Sequence, residues 1–155
     1  MRYGVGQQGF TLMQTLVAVL VLGVLATMAM AMYQHHVKQA RVRAMQAALL
    51  ENAQFLERFY GQQRSFKQNA NEWVALPITQ TEHFCIRLQG QPRNAQADRF
   101  MLKAVAWDKT AEPRIFRLNQ DLNFFVCQHA NNTCADADDF FANPAGNEQD
   151  CSPFK

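Results

Sequence analysis

At 155 residues, with 48% of side chains apolar, the chain can bury one domain core and carry one further element, and it is too short for a multidomain architecture. A formal charge of +2 excludes nucleic-acid binding by sheer positive charge. The charges are nevertheless sorted: Lys38 to Arg117 holds thirteen bases and seven acids, whereas Leu118 to Lys155 holds one base and six acids, so a basic middle joins an acidic tail.

No side chain between Arg2 and Lys38 carries a fixed charge, and Phe10 to Tyr33 is a run of 24 residues broken only by Thr11, Gln14, Thr15, Gly23 and Thr27. At about 1.5 Å per residue, a helix of that length crosses a hydrocarbon layer of about 30 Å with residues to spare. A buried core helix would need cover on every side from a small remainder. A secretory signal would be shorter and end in a small-x-small site. Residues 10–33 are therefore read as a membrane segment kept in the mature protein, with the head at 34–155.

Charge and cysteines disagree on orientation. Arg2 alone precedes the run and Lys38, Arg41 and Arg43 follow it, which on the positive-inside tendency places the head in the cytoplasm. Four cysteines, Cys85, Cys127, Cys134 and Cys151, all lie in the head, an even number that suits disulfides in an oxidising compartment. They contain no C-x-x-C spacing, which argues against zinc. No cofactor is expected.

Beyond the membrane run, Met45, Ala48, Leu49, Leu56, Phe59 and Tyr60 recur at spacings of three and four, so one helix is predicted to continue to Gly61 with that stripe inward. His35 and His36 fall where it leaves the lipid and are read as solvated. Gln62 to His83 is read as a polar loop pinned by Phe66, Trp73 and Leu76. Four strands follow: Phe84 to Leu88, Arg99 to Trp107, Arg114 to Leu118 and Asn123 to Cys127. Alternation puts Phe84, Ile86 and Leu88 on one face with Phe100, Leu102, Ala104 and Ala106, leaving Arg87, Arg99 and Lys103 on the other. The fold class is α+β, a long N-terminal helix on a four-stranded antiparallel sheet. Past Cys127 only Phe140 and Phe141 offer burial, so that tail needs its bridges. Four cysteines allow three pairings, and spacing does not choose among them.

The start of the membrane run, Gly9-Phe10-Thr11-Leu12, resembles the prepilin cleavage site of type IV pilins. The resemblance implies a leader at 1–9, cleavage between Gly9 and Phe10 by prepilin peptidase, and N-methylation of Phe10. It also implies a single-pass chain with a periplasmic head, in the cytoplasmic membrane and in the pilus filament, partnered by the major pilin and the assembly machinery. Two positions depart from the family: Gln14 replaces a glutamate that pairs with a neighbouring N-terminal amine, and Ala31 replaces a helix-breaking proline. Among the three pairings the family implies Cys127 with Cys151 and Cys85 with Cys134, while Cys85 with Cys127 plus Cys134 with Cys151 stays open.

The stretches Ala47 to Tyr60, Phe84 to Leu88, Phe100 to Ala106 and Asp108-Lys109, with the four cysteines, resemble one subgroup, the ComP minor pilins that are receptors for DNA uptake sequences in natural transformation. That resemblance implies binding of double-stranded DNA carrying an uptake repeat through Arg87, Arg93, Arg99, Lys103 and Lys109 and through the C-terminal stapled region. Singly, each base is also what an exposed sheet face carries; together they offer up to five phosphate contacts. Asp136, Asp138 and Asp139 repel phosphate; as acceptors they suit cytosine amino groups, but structural turn or solvation roles are the preferred reading. The competing reading is a structural or assembly-modulating minor pilin without DNA specificity. No G-x-S-x-G, P-loop or metal-ligand spacing supports an enzyme.

Overall fold

The computed structural model describes residues 12–90, 92–130, 132–135 and 148–154. The first element is a helix, α1, Leu12–Gln63, about 78 Å long at 1.5 Å per residue. The part up to Ala40 and the chain from Arg41 onward are two compact units.

In the first unit Leu16, Val19, Leu20, Leu22 and Leu25 are each more than half exposed, so no protein atoms cover the apolar surface. It is the one helix among the described residues long and apolar enough to cross a membrane. Its two described threonine hydroxyls are satisfied inside the helix, Thr15 Oγ1 donating to Leu12 O and Thr27 Oγ1 to Val24 O, each at 2.8 Å. That arrangement removes the cost of bare polar groups in an apolar environment. Gly9 and Phe10 lie outside the described residues.

In the second unit the helix buries Val42, Met45, Ala48, Leu49, Ala53 and Leu56, one stripe at helical spacing, with Phe59 and Tyr60 partly buried beside it. The helix passes Gly61 and ends two residues later, where the Arg64 N–H donates to Tyr60 O at 2.8 Å and Arg64 takes φ 54°. A left-handed residue there closes the helix as a C-cap, with arginine in the place glycine usually fills.

The connection expected to be a plain loop contains a short hairpin, β1 (Lys67–Asn69) and β2 (Glu72–Trp73). Phe66, Trp73 and Leu76 pack on the core as expected, and Val74 joins them. Asn52, fully buried on the helix, fastens the following segment: its Nδ2 donates to Ile78 O at 2.7 Å and its Oδ1 accepts from Ile78 N at 3.0 Å. A buried amide satisfied at both ends stabilises rather than costs.

The main sheet is an antiparallel meander of five strands, not four: β3 (Phe84–Leu88), β4 (Met101–Ala106), β5 (Ile115–Asn119), β6 (Phe124–Ala130) and β7 (Glu148–Pro153) in that spatial order. The fifth strand, Glu-Gln-Asp-Cys-Ser-Pro, has no apolar alternation. It is held by pairing with β6 and by Cys127–Cys151, which join directly opposite residues across the two strands. The other bridge is Cys85–Cys134, and no described cysteine is free. The pairing implied by the pilin resemblance is the one found.

Register fixes the two faces. Phe84, Ile86 and Leu88 oppose Ala106, Ala104 and Leu102, and with Phe116 and Leu118 they form one core with the helix stripe. Cys85, Val105, Ile115 and Cys134 form a second, smaller cluster on the other face. That face was expected to be open to solvent. The Cys85–Cys134 bridge instead lays residues 132–134 across it.

Candidate nucleic-acid interface

Covering the outer face sorts the five expected cations. Arg87 and Lys103 are direct cross-strand partners, and Arg117 continues the row from Lys103. Lys103 is fully buried and donates from Nζ to Asn132 Oδ1 at 2.9 Å. Lys103 was expected on an exposed face and is buried instead, which weighs against the expected phosphate contact. Arg87 is half-buried and donates from Nη2 to the Cys134 carbonyl at 3.2 Å, so it clamps the covering segment.

Arg93 and Arg99 remain exposed. Both stand on the connection between β3 and β4, Arg93 in a one-turn 3₁₀ helix, Pro92–Asn94. Lys109 lies three residues past the other end of β4. At about 3.3 Å per residue, six strand residues put it roughly 20 Å or more from Arg99 along the sheet. The structure therefore brings Arg93 and Arg99 to one end and leaves Lys109 at the other.

The β3–β4 connection is held at four points from the hairpin and from Phe66 just before it. Trp73 Nε1 donates to Gly90 O at 2.8 Å, and Arg93 Nε donates to Asn71 Oδ1 at 3.1 Å. The Lys67 ammonium donates to Ala95 O, and Phe66 N donates to Ala97 O at 2.8 Å. Below it Phe66 stacks on Tyr60 at 4.6 Å and meets Phe100 edge-to-face at 4.8 Å. Gly90 sits at φ 94°, a conformation glycine adopts without strain. Arg99 lines a hollow of about 330 Å³ with Trp73, Gln89, Met101 and Asp121. Lys67 and Asn71 were not singled out from sequence; a lysine and an asparagine in a polar loop carry no periodic signal.

At the opposite end, Asp108 Oδ1 accepts from Thr110 Oγ1 at 2.6 Å, Thr110 N at 2.9 Å and Ala111 N at 3.3 Å. These bonds, the Thr110 hydroxyl first, hold its carboxyl below the usual 3.8. Arg114 is engaged by the buried Glu112, Nε to Oε1 at 2.6 Å and Nη2 to Oε2 at 2.7 Å, a fork that raises its pKa and removes it from the pool of available cations. No cluster of three metal-ligating side chains occurs among the described residues. Asp136, Asp138 and Asp139 lie outside them.

Residues 31–115, more than half of the chain, match the family described as type IV minor pilin ComP, DNA uptake sequence receptor. The chain belongs to the ComP family of type IV minor pilins. Its fold agrees. The solution NMR structure of the minor DNA-uptake pilin ComP from Neisseria subflava is 43% identical, with a TM-score of 0.59 over 74% of this chain and 95% of that one. The global fold of the type IV pilin ComP from Neisseria meningitidis is 47% identical, with a TM-score of 0.51 over 76% and 97%. Nothing among individually curated proteins matches. Membership makes the chain a minor pilin of DNA uptake, with an apolar N-terminal helix suited to membrane and pilus.

Proposed function

We propose that this ComP-family pilin is a receptor that binds extracellular duplex DNA carrying an uptake repeat, through the exposed end of the head that holds Arg93 and Arg99. The observation that carries the reading is that these two guanidiniums stand exposed on a connection fastened at four points. The backbone that carries them is fastened before DNA arrives, so less ordering entropy opposes contact. Arg99 has no partner among the described residues, and Arg93 bonds to Asn71 through Nε, which leaves the Arg99 guanidinium and the Nη edge of Arg93 for phosphate. Phosphate contacts position the duplex and base contacts choose it. The base-reading part is assigned to the stapled C-terminal region between Cys127 and Cys151.

Lys109 is at most an outlying contact, and Arg87 acts on the stapled region by holding Cys134. The leader at 1–9, cleavage between Gly9 and Phe10 by prepilin peptidase, methylation of Phe10 and the membrane segment at 10–33 belong to the same proposal. So do a periplasmic head and incorporation beside the major pilin.

In the source bacterium, the double variant Arg93→Ala/Arg99→Ala should lower transformation by repeat-bearing DNA at least tenfold while pilus number stays the same. Unchanged transformation would support a structural or assembly role without DNA specificity instead.

A further inference from the structure

We infer that Trp73 is a positioning residue for Arg93, acting with Asn71 as a strut that sets the direction of the Arg93 guanidinium towards DNA. The inference rests on the DNA reading of the same connection. The hairpin turn is locked by its own side chains: Asn71 N donates to Asn69 Oδ1 at 2.9 Å, and Asn69 Nδ2 donates to Glu72 Oε2 at 2.7 Å. That lock presents Asn71 Oδ1 to Arg93 Nε. Asn71 therefore occupies the inner edge of the guanidinium and leaves the outer Nη edge for a phosphate.

Two residues on, Trp73 fastens the near end of the same connection. Its ring packs against the core while its N–H reaches Gly90 O, seventeen residues away in sequence. Gly90 at φ 94° is where the connection leaves β3, so that bond fixes the exit direction. Hollows flank Trp73 on two sides, one of about 330 Å³ that includes Arg99 and one of about 520 Å³ that includes Gly90 and Pro92. With open space on either side, little packing restrains the connection there, and the hydrogen bonds carry the restraint. Lys67 and Phe66 hold its far half, by hydrogen bonds to Ala95 and Ala97 rather than to Arg93.

The test uses the full chain in detergent micelles and a short scrambled duplex, with binding followed by anisotropy across salt concentrations. Arg93→Ala should flatten the slope of log affinity against log salt by about one unit. Trp73→Phe keeps the ring and deletes only the N–H; Asn71→Ala deletes the acceptor at an exposed position that the fold does not need. Each should reproduce more than half of the Arg93→Ala loss, and Trp73→Phe/Arg93→Ala should bind no more weakly than Arg93→Ala alone. Wild-type slopes for Trp73→Phe and Asn71→Ala beside a flattened Arg93→Ala would overturn the positioning role and leave the DNA face standing. Additive losses in the double variant would also overturn it, because Trp73 would then contact DNA by itself. A wild-type slope for Arg93→Ala would overturn the DNA face and the strut together.

Discussion

Lys103 Nζ donates to Asn132 Oδ1 at 2.9 Å with both side chains fully buried, so a cation on the outer sheet face serves the fold. Lys103→Met keeps the stem and deletes the donor, removing the buried bond to Asn132 Oδ1. Chemical denaturation should show a loss of roughly 1–3 kcal/mol. The salt dependence of DNA binding should stay as in wild type. A slope flattened by about one unit would mean that the ammonium reaches phosphate after all.

The two bridges close loops of different size, 49 residues for Cys85–Cys134 and 24 for Cys127–Cys151. Removing either pair should cost roughly 2–4 kcal/mol, with chain entropy making the longer loop costlier by about 0.6 kcal/mol. Peptide mapping without reduction should recover these two pairs and no free thiol. A larger loss on removing Cys127–Cys151 would show that fastening β7 matters more than loop size.

Asp108 gives a pH signature. Its carboxyl titrates below its unfolded value because three hydrogen bonds favour the charged form, so its contribution is fully present above about pH 5. That contribution is lost as pH falls through 3.8 towards the folded value. The stability gap between wild type and Asp108→Asn should therefore be constant near neutrality and close in acid. A gap that does not change down to about pH 2.5 contradicts this.

Gly61 lies inside the helix, exposed, with nothing within 4 Å of where a Cβ would stand. Gly61→Ala should stabilise the head by about 0.5–1 kcal/mol, since glycine inside a helix is less favourable than alanine by that amount. No gain in the denaturation midpoint would indicate a frayed last turn rather than a helix through Gln63.

Elements with a strong period were legible in the sequence. The stripe Met45, Ala48, Leu49 and Leu56 and the alternation Phe84, Ile86, Leu88 bury as read, because burial follows period when one face meets the core. Gly61 misled by composition: it looks like a stop, yet the helix closes on Arg64. β7 was invisible because a disulfide and a neighbouring strand hold it, and neither leaves a pattern in Glu148–Pro153. Lys103 was misplaced for a related reason. Alternation assigned it correctly to the face opposite the core, but only the Cys85–Cys134 pairing reveals that this face is covered. Asn52 carries no periodic signal, yet it is a core residue because its amide copies a peptide group for Ile78.

The central claim is that the exposed end with Arg93 and Arg99 engages DNA and that the stapled C-terminal region chooses it. The most direct measurement is the affinity of the full chain in micelles for a duplex bearing the source genome's uptake repeat and for a scrambled duplex, each across salt. The account predicts tighter binding of the repeat. For two to three phosphate contacts, Arg93, Arg99 and the outlying Lys109, it predicts a slope of about −2 to −2.7, with Arg93→Ala and Arg99→Ala each removing about one unit from both duplexes alike. Equal affinity for the two duplexes, or a salt slope untouched by both arginine variants, would contradict it.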